Sequence, residues 1–232
     1  MRSEEFPAIR QLPLFSDMSE DNFGALLQAA YLQTFPPQVQ LITEGDSADF
    51  LHVVVEGTIE MFASANGRET TLQLVRPYST FILAAVLKDA VYLMSARTLE
   101  KSRVLMIPSE NVRSVFETDA AFARSIVVEL ASCFRTVVKE QKNQKLRTGV
   151  ERLANQLLRL HGEQGGQGTL TLPCDKRTLA ALLGMTPENL SRAFSTLKPY
   201  GVEVNGGEIR LTKPQDLELL AKPAPLIDDA TN

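Results

Sequence analysis

Polar side chains cluster at the start of a predicted helix in the C-terminal third of the chain. Glu188, Asn189, Ser191 and Arg192 follow Thr186-Pro187, and the apolar residues of the same helix repeat on its other side, at Leu190, Phe194 and Leu197. A carboxylate can accept a hydrogen bond from cytosine N4, and a guanidinium can donate two to guanine O6 and N7. The chemistry that these residue types offer is the reading of DNA base edges.

Neighbouring elements must hold this helix in place. Asp175 and Thr186 can cap two successive helices with their side-chain oxygens, and Gly184 can adopt the positive φ that ends the first one. The Asn205-Gly206 turn between two strand-like runs predicts a β-hairpin behind them. Together these signals predict a winged helix-turn-helix. Because any helical domain can contain a glycine turn, the rest of the chain must support DNA binding.

Charge is divided unevenly along the chain. The net charge is −4, but residues 139–213 contain 12 Lys and Arg against 7 Asp and Glu. A basic part joined to an acidic remainder is typical of a nucleic-acid-binding domain attached to a sensing domain. No apolar run approaches the ~20 residues of a membrane span, and the N-terminus shows no export signal. We therefore expect a cytoplasmic protein without membrane contacts.

Cysteine and histidine are too sparse for an ordinary metal centre. Cys133 and Cys174 are the two cysteines, and no CxxC motif is present. This predicts neither a structural disulfide nor a zinc or iron–sulfur site built by one chain. We expect structural or surface roles for His52 and His161, and a redox role for either cysteine stays open.

Short β-rich runs dominate the first half of the chain. They are separated by turns such as Glu44-Gly45-Asp46 and Glu56-Gly57, and they cover residues 39–42, 50–55, 58–62, 70–75, 93–98 and 102–107. This spacing predicts an all-β sandwich or barrel. Residues 6–30, which precede the runs, are predicted to be helical.

A long helix without proline or glycine is predicted over residues 119–147. It would extend about 43 Å at 1.5 Å per residue, too far for one small domain to cover. We expect one of its two apolar stripes to pack on the β domain and the other on a second copy of the helix. The 4-3-4 spacing of a two-stranded coiled coil assigns the dimer interface to Ile126, Leu130, Cys133 and Val137, and leaves a second stripe of Val127, Phe134 and Val138. A single core that absorbs both stripes is the alternative.

The predicted fold is α+β, with an N-terminal β-roll sensor domain, a long dimerisation helix and a C-terminal winged helix-turn-helix. A hinge is predicted at Thr148-Gly149. The predicted boundaries are 1–118 for the sensor domain, 119–147 for the helix, 148–221 for the DNA-binding domain and 222–232 for a disordered tail.

This order of elements, with the LPLF opening at residues 12–15 and the Glu-Gly turns, resembles the CRP/FNR superfamily of bacterial transcription regulators over residues 12–220. The resemblance implies a homodimer that binds double-stranded DNA and contacts RNA polymerase. No catalytic constellation competes with it, so we expect no enzymatic activity. A β-barrel enzyme or small-molecule-binding module with a helical interaction tail is the remote alternative.

Within that superfamily the recognition helix resembles the FNR-like branch. Glu188, Ser191 and Arg192 match its Glu-x-x-Ser-Arg pattern, which implies that they read the TTGA half-sites of an inverted repeat. Pro187 departs from the cAMP receptor protein, which has a base-reading arginine there. The alternative for Arg192 is a contact with phosphate alone. Phosphate contacts that position the protein are expected from Lys176, Arg177, Thr186, Asn189 and Lys198.

The sensing half departs from the superfamily pattern. The cyclic-nucleotide cassette contains a Gly-Glu pair and an Arg-Ser pair, whereas residues 81–85 of this chain lack a carboxylate and Met94 replaces the arginine. A buried phosphate without a cationic partner is heavily penalised, so cyclic AMP is not expected. The clustered N-terminal cysteines of the iron–sulfur branch are also missing, so no iron–sulfur cluster is expected.

The remaining sensing half resembles the nitric-oxide-responsive regulators DNR and NnrR, a resemblance that implies haem and a redox or gas signal in denitrification. The alternative is a FixK-like regulator that needs no small effector. The resemblance assigns an apolar effector pocket, which could equally be ordinary core, to Phe81, Ile82, Leu83, Leu93, Met94 and Phe134. Haem-ligand candidates are His52, His161, Met94 and Cys133.

Overall fold

The computed structural model describes residues 6–229, and the chain divides into two compact units, Met1–Cys133 and Phe134–Asn232. Strands dominate the first unit and helices the second, so the predicted α+β class is confirmed. Residues 1–5 of the predicted sensor domain and 230–232 of the predicted tail lie outside the described residues.

The strands of the first unit pair in antiparallel sheets. They are β1 (Tyr31–Phe35), β2 (Gln40–Ile42), β3 (Phe50–Glu56), β4 (Ile59–Ala65), β5 (Arg68–Val75), β6 (Ser79–Phe81), β7 (Ser95–Thr98) and β8 (Ser102–Pro108). One sheet has the order β1-β8-β3-β6 and the other the order β2-β7-β4-β5. Inward-facing residues of both sheets, including Leu51, Val53, Ile59, Leu105 and Ile107, are fully buried in one apolar core.

The backbone angle and the close packing of the Glu56-Gly57 turn leave no room for a side chain at Gly57. Gly57 takes a φ of 85°, in the region that side chains with a Cβ avoid. A Cβ built on Gly57 would lie 2.8 Å from the Ser102 Cα, so the neighbouring strand passes directly against the turn. In the Glu44-Gly45-Asp46 turn, Gly45 has a φ of 93° but open space around it.

Helices cover the sheets of the first unit and lead into the long helix. They are α1 (Phe6–Arg10), α2 (Glu20–Ala29), α3 (Leu83–Lys88), α4 (Ser109–Thr118) and α5 (Ala120–Leu146). The Asp119 carboxylate accepts from the backbone N–H groups of Ala121 and Phe122 at the start of α5. It also accepts from the Ser19 N–H and the Asn22 side-chain amide at 2.9 and 3.0 Å. Asp119 therefore ties the start of α5 to the start of α2.

The second unit carries the predicted winged helix-turn-helix. After the last turns of α5 come α6 (Gly149–Glu163), β9 (Thr169–Thr171), α7 (Lys176–Leu182), α8 (Pro187–Leu197), β10 (Val202–Asn205), β11 (Glu208–Leu211), α9 (Pro214–Ala221) and α10 (Pro225–Asp228). β10 and β11 form the predicted hairpin, and β9 pairs with the other edge of β11. Helix α6 begins with a capping box between Thr148 and Glu151, so the helix break at the predicted hinge is present.

Several details differ from the sequence-based prediction. The predicted strands are present, but β1 and β6 are additional and the apolar run after Phe81 forms α3. The unit boundary at Cys133–Phe134 falls inside α5, not at the helix break near Thr148. The described part of the predicted disordered tail contains α10, and its Asp228 forms an ion pair with Arg147, which directly follows α5.

Candidate nucleic-acid interface

The recognition helix α8 is capped as its sequence predicts. The Thr186 hydroxyl accepts from the Asn189 N–H at 3.3 Å, and Pro187 occupies the first turn. Gly184 has a φ of 63° in the turn that separates α7 from α8. Buried residues anchor the inner face of α8 in the core of the second unit, namely Leu190, Ala193, Phe194 and Leu197.

The three predicted base-reading side chains are exposed on the first turns of α8. The Thr186 side chain and the backbone of Glu188, with a smaller contribution from Arg192, lower the pKa of the Glu188 carboxyl, which keeps it ionised and able to accept hydrogen bonds. The Ser191 hydroxyl donates to the Pro187 carbonyl at 3.0 Å and keeps its lone pairs for a donor. An acceptor and a cationic donor thus lie one helical turn apart on the exposed face.

The predicted phosphate contacts surround this face. Lys176, Arg177, Thr186, Asn189 and Lys198 are all exposed. The Lys176 Nζ lies 5.8 Å from the centroid of the Phe194 ring, so the start of α7 contacts the recognition helix.

Sequence reasoning missed the side chains that hold the helix-turn-helix against the end of α5. Arg152 donates to the Leu183 carbonyl at 2.8 Å and to the Arg147 carbonyl at 2.7 Å. The Gln144 amide donates to the Leu182 carbonyl at 3.5 Å. No local pattern signals these contacts, because each joins a polar side chain to a carbonyl that another part of the chain supplies.

The assignment of the two stripes on α5 must be corrected. Ile126 is fully buried in the core of the first unit, and Leu130 packs against the same core. A residue buried in its own chain cannot form the dimer seam. Cys133 and Val137 continue this stripe further along the helix and are exposed.

A second stripe with the same 4-3-4 spacing is exposed. It lies one residue, or about 100° of helical rotation, away from the buried stripe. The exposed fractions are 61% for Val127, 69% for Phe134 and 40% for Val138, and Ala131 between them is also exposed. This stripe is exposed along its whole length, whereas the predicted stripe is exposed only at Cys133 and Val137.

The predicted effector-pocket residues are not all brought together. Phe81 and Leu83 are buried, while Ile82 and Met94 are partly buried against the same core. Leu93 is 75% exposed in the bend before β7, so its assignment to an apolar wall is wrong. Phe134 is likewise exposed and lies on the free stripe of α5.

Two residues in the stretch that corresponds to the cyclic-nucleotide cassette have unusual surroundings or backbone geometry. Ser95 is buried, and its hydroxyl accepts from the Glu44 N–H at 3.0 Å. Ile82 takes a φ of 69°, a conformation that is costly for a β-branched residue. This stretch therefore differs from the cassette in its residue types.

Among the haem-ligand candidates, His52 is the most deeply buried. It is 3% exposed, its Nδ1 has no hydrogen-bond partner, and its ring stacks on Phe81 at 4.9 Å between centroids. Burial lowers the pKa of His52 to about 4, although a backbone hydrogen bond with Phe50 opposes the shift. His52 is therefore a neutral core side chain near neutral pH.

The other metal-ligand candidates do not form a cluster. Cys133 is exposed at the surface of the helix. Partial desolvation of its thiol by surrounding atoms, together with the Glu129 charge, raises the pKa of the thiol, and a higher pKa makes the thiol less reactive. His161 belongs to α6 of the second unit. Between residues 6 and 229, no three His, Cys, Asp or Glu side chains converge on a metal-sized site. Over the same residues, no helix combines the length and apolarity of a membrane span.

Comparison with known proteins assigns both units to described domain families. Residues 32–119 match the Cyclic nucleotide-binding domain and residues 151–220 match the Crp-like helix-turn-helix domain. The crystal structure of a proposed cyclic nucleotide binding protein from Ruegeria pomeroyi is 30% identical. Its alignment covers 97% of this chain and 100% of that chain, with a TM-score of 0.63.

More distant relatives match most of the chain. The CRP-like cAMP-activated global transcriptional regulator of Mycobacterium tuberculosis is 22% identical over 91% of this chain and 96% of its own length. FixK2 from Bradyrhizobium japonicum, 22% identical, shares the fold with a TM-score of 0.73 over 84% of this chain and 98% of its own. A shorter match, over 112 residues at 25% identity, is to the rice potassium channel KAT1, of which the chain spans only 16%.

The chain contains both domains in the same order as CRP/FNR regulators, and it is 30% identical to a relative over that relative's whole length. It therefore belongs to the CRP/FNR family of transcription regulators with a DNA-binding helix-turn-helix.

Proposed function

We propose that this regulator binds, as a homodimer, an FNR-type inverted repeat with TTGA half-sites. The observation that carries the proposal is the exposure of Glu188, Ser191 and Arg192 together on the first turns of a capped recognition helix. The carboxylate matches the N4 donor of cytosine and the guanidinium matches the acceptors of guanine. RNA polymerase is the proposed partner at the promoter.

The dimer would form through the exposed stripe of α5. Val127, Ala131, Phe134 and Val138 repeat at coiled-coil spacing and leave large apolar side chains in water. Pairing with a second α5 would bury them and present two recognition helices. Such a dimer requires half-sites about one turn of DNA apart.

One variant on α8 and one directly after its end test the reading of bases. Arg192→Ala should cost about 1–3 kcal/mol of binding to the inverted repeat and much less on random DNA. Lys198→Ala, the matched control that removes a proposed phosphate contact, should weaken binding to both duplexes alike. Fluorescence anisotropy at fixed salt measures both. An equal loss on both duplexes for Arg192→Ala would show that this side chain contacts only phosphate.

The proposed effector is a redox or gas signal and not cyclic AMP. Met94 stands where the superfamily places its phosphate-binding arginine, and the neighbouring Ser95 hydroxyl already accepts a hydrogen bond from the Glu44 N–H. The names of the Mycobacterium tuberculosis and Ruegeria pomeroyi relatives favour a cyclic nucleotide as the second candidate. Calorimetric titration with cyclic AMP and cyclic GMP separates the two, since we expect no heat of binding from either. Binding in the micromolar range would replace our proposal.

His52 is the buried candidate for a haem ligand, and its surroundings decide whether haem fits this domain. The ring of His52 stacks on Phe81 and is nearly inaccessible, so an iron atom could reach Nδ1 only after the core opens. The residues in their present arrangement therefore do not fit haem. Titration with haemin tests the proposed gas signal: the absence of a stoichiometric Soret band would leave no haem route for that signal and would favour the FixK-like alternative without a small effector. A stoichiometric band that His52→Leu abolishes would restore the haem hypothesis.

A further inference from the structure

The C-terminal strap, defined here as residues 223–229, folds back on the last turns of α5. Arg147 donates to both carboxylate oxygens of Asp228, at 2.7 and 2.5 Å. The Arg147 side chain is only 7% exposed and the Asp228 side chain is 26% exposed, so this two-pronged pair is largely buried on the arginine side. Asp228 also accepts from the Ala224 N–H at 2.6 Å, which closes the single turn of α10. The Asp228 carboxylate thus both stabilises the turn of α10 and connects the strap to Arg147.

Lysine side chains of α5 contact carbonyl groups of the strap. The Lys139 Nζ donates to the Asp229 carbonyl at 2.7 Å, and the Lys142 Nζ lies 3.4 Å from the Leu226 carbonyl. Cations suit these carbonyls because they lie at the end of α10. The Leu226 side chain is exposed. Three cationic side chains, two on α5 and one directly after it, therefore contact the strap.

The same junction also contacts the helix-turn-helix. Arg152 connects the Arg147 carbonyl to the Leu183 carbonyl in the turn before the recognition helix. On the other side of that turn, a Cβ at Gly184 would lie 2.5 Å from the Gln144 Oε1, so α5 and the turn approach closely. A continuous chain of contacts therefore runs from Asp228 through Arg147 and Arg152 to the turn that starts α8.

We propose that the C-terminal strap locks the junction between α5 and the DNA-binding domain, so that both recognition helices of a dimer are held for simultaneous binding of two half-sites. This inference rests on the proposed function. An unlocked junction would leave each DNA-binding domain able to bind alone but would add an ordering cost when both bind at once. The strap would therefore increase the affinity for the repeat and not for a half-site.

Hydrogen exchange of the full-length protein without DNA tests the contact itself. Asp228→Asn removes the ion pair with little change in shape, and Glu218→Gln, on an exposed face of α9, removes the same charge away from the strap. Amides of residues 224–229 and 147–152 should exchange about 10-fold faster in Asp228→Asn than in the wild type. Loss of a charge-assisted hydrogen bond lowers the free energy of local opening by an amount that corresponds to about this factor. Glu218→Gln should match the wild type. Equal exchange in both variants would overturn the strap.

Binding to two duplexes tests the consequence. In Asp228→Asn the affinity for the inverted repeat should fall about 10-fold while the affinity for a single half-site stays unchanged. Arg147→Gln combined with Asp228→Asn should lose no more than either variant alone, since both remove one pair. Faster exchange with unchanged repeat affinity would overturn the coupling to the recognition helix. If the wild type bound neither duplex, the proposed function would fail, and the exchange measurement would still decide whether the strap exists.

Discussion

Truncation of Phe134 should separate the dimer without unfolding the chain. Full burial of a phenylalanine contributes about 1.5–3 kcal/mol, and Phe134 is 69% exposed in one chain. Covering this surface in a dimer is therefore worth about 1–2 kcal/mol for each of two copies. Phe134→Ala should raise the dimer Kd roughly 100-fold, which corresponds to about 3 kcal/mol. Sedimentation equilibrium over a concentration series measures this shift.

Ile126→Ala is the matched variant on the buried stripe. Ile126 is fully buried in its own chain, so its truncation should lower the free energy of unfolding by about 2–5 kcal/mol through the cavity that it leaves. The dimer Kd of the folded protein should hardly change, whereas Phe134→Ala should hardly change monomer stability. A dimer weakened by Ile126→Ala and unaffected by Phe134→Ala would refute the assignment of the seam to the exposed stripe.

Further predictions concern stability. Because burial lowers the pKa of His52 from 6.5 to about 4, the unfolded chain takes up a proton below pH 6.5 before the folded chain does. The free energy of unfolding should therefore decrease by up to about 3 kcal/mol from pH 6.5 to pH 4. In urea titrations over this pH range, the free energy of unfolding of His52→Phe should decrease by that much less than the wild-type value. Gly57→Ala should lower the melting temperature much more than Gly45→Ala, since only Gly57 faces backbone at 2.8 Å, and similar losses would exclude the close approach as the cause. Thr148→Ala should cost about 1 kcal/mol by removing the capping box of α6, and thermal unfolding that matches the wild type would show that the cap is unimportant.

The order of elements could be predicted because its signals are local. Turn glycines, capping residues such as Thr186 and the Asn205-Gly206 hairpin each determine backbone geometry within a few positions, and the structure contains these features. The strands β1 and β6 were missed because they are short or lack a regular alternation of apolar residues. Helix α3 was missed because an apolar run of this length does not distinguish a buried helix from a pocket wall.

The faces of α5 could not be assigned by periodicity. Two stripes with 4-3-4 spacing differ by one residue, and only packing against the sheets shows that Ile126 belongs inside and Val127 outside. The strap was missed for a similar reason. Pro223 and Pro225 are typical of a disordered end, and the Asp228 that orders the segment has its partner Arg147 at a distance of 81 positions in the sequence.

The affinity for an inverted repeat of TTGA half-sites, compared with the same duplex in which the G·C pair of each half-site is replaced, tests the central claim most directly. At fixed salt, the dimer should prefer the intact repeat by about 1–3 kcal/mol for each replaced pair. Arg192→Ala should remove this preference while retaining nonspecific binding. Equal affinity of the wild type for both duplexes would contradict base reading by Glu188 and Arg192.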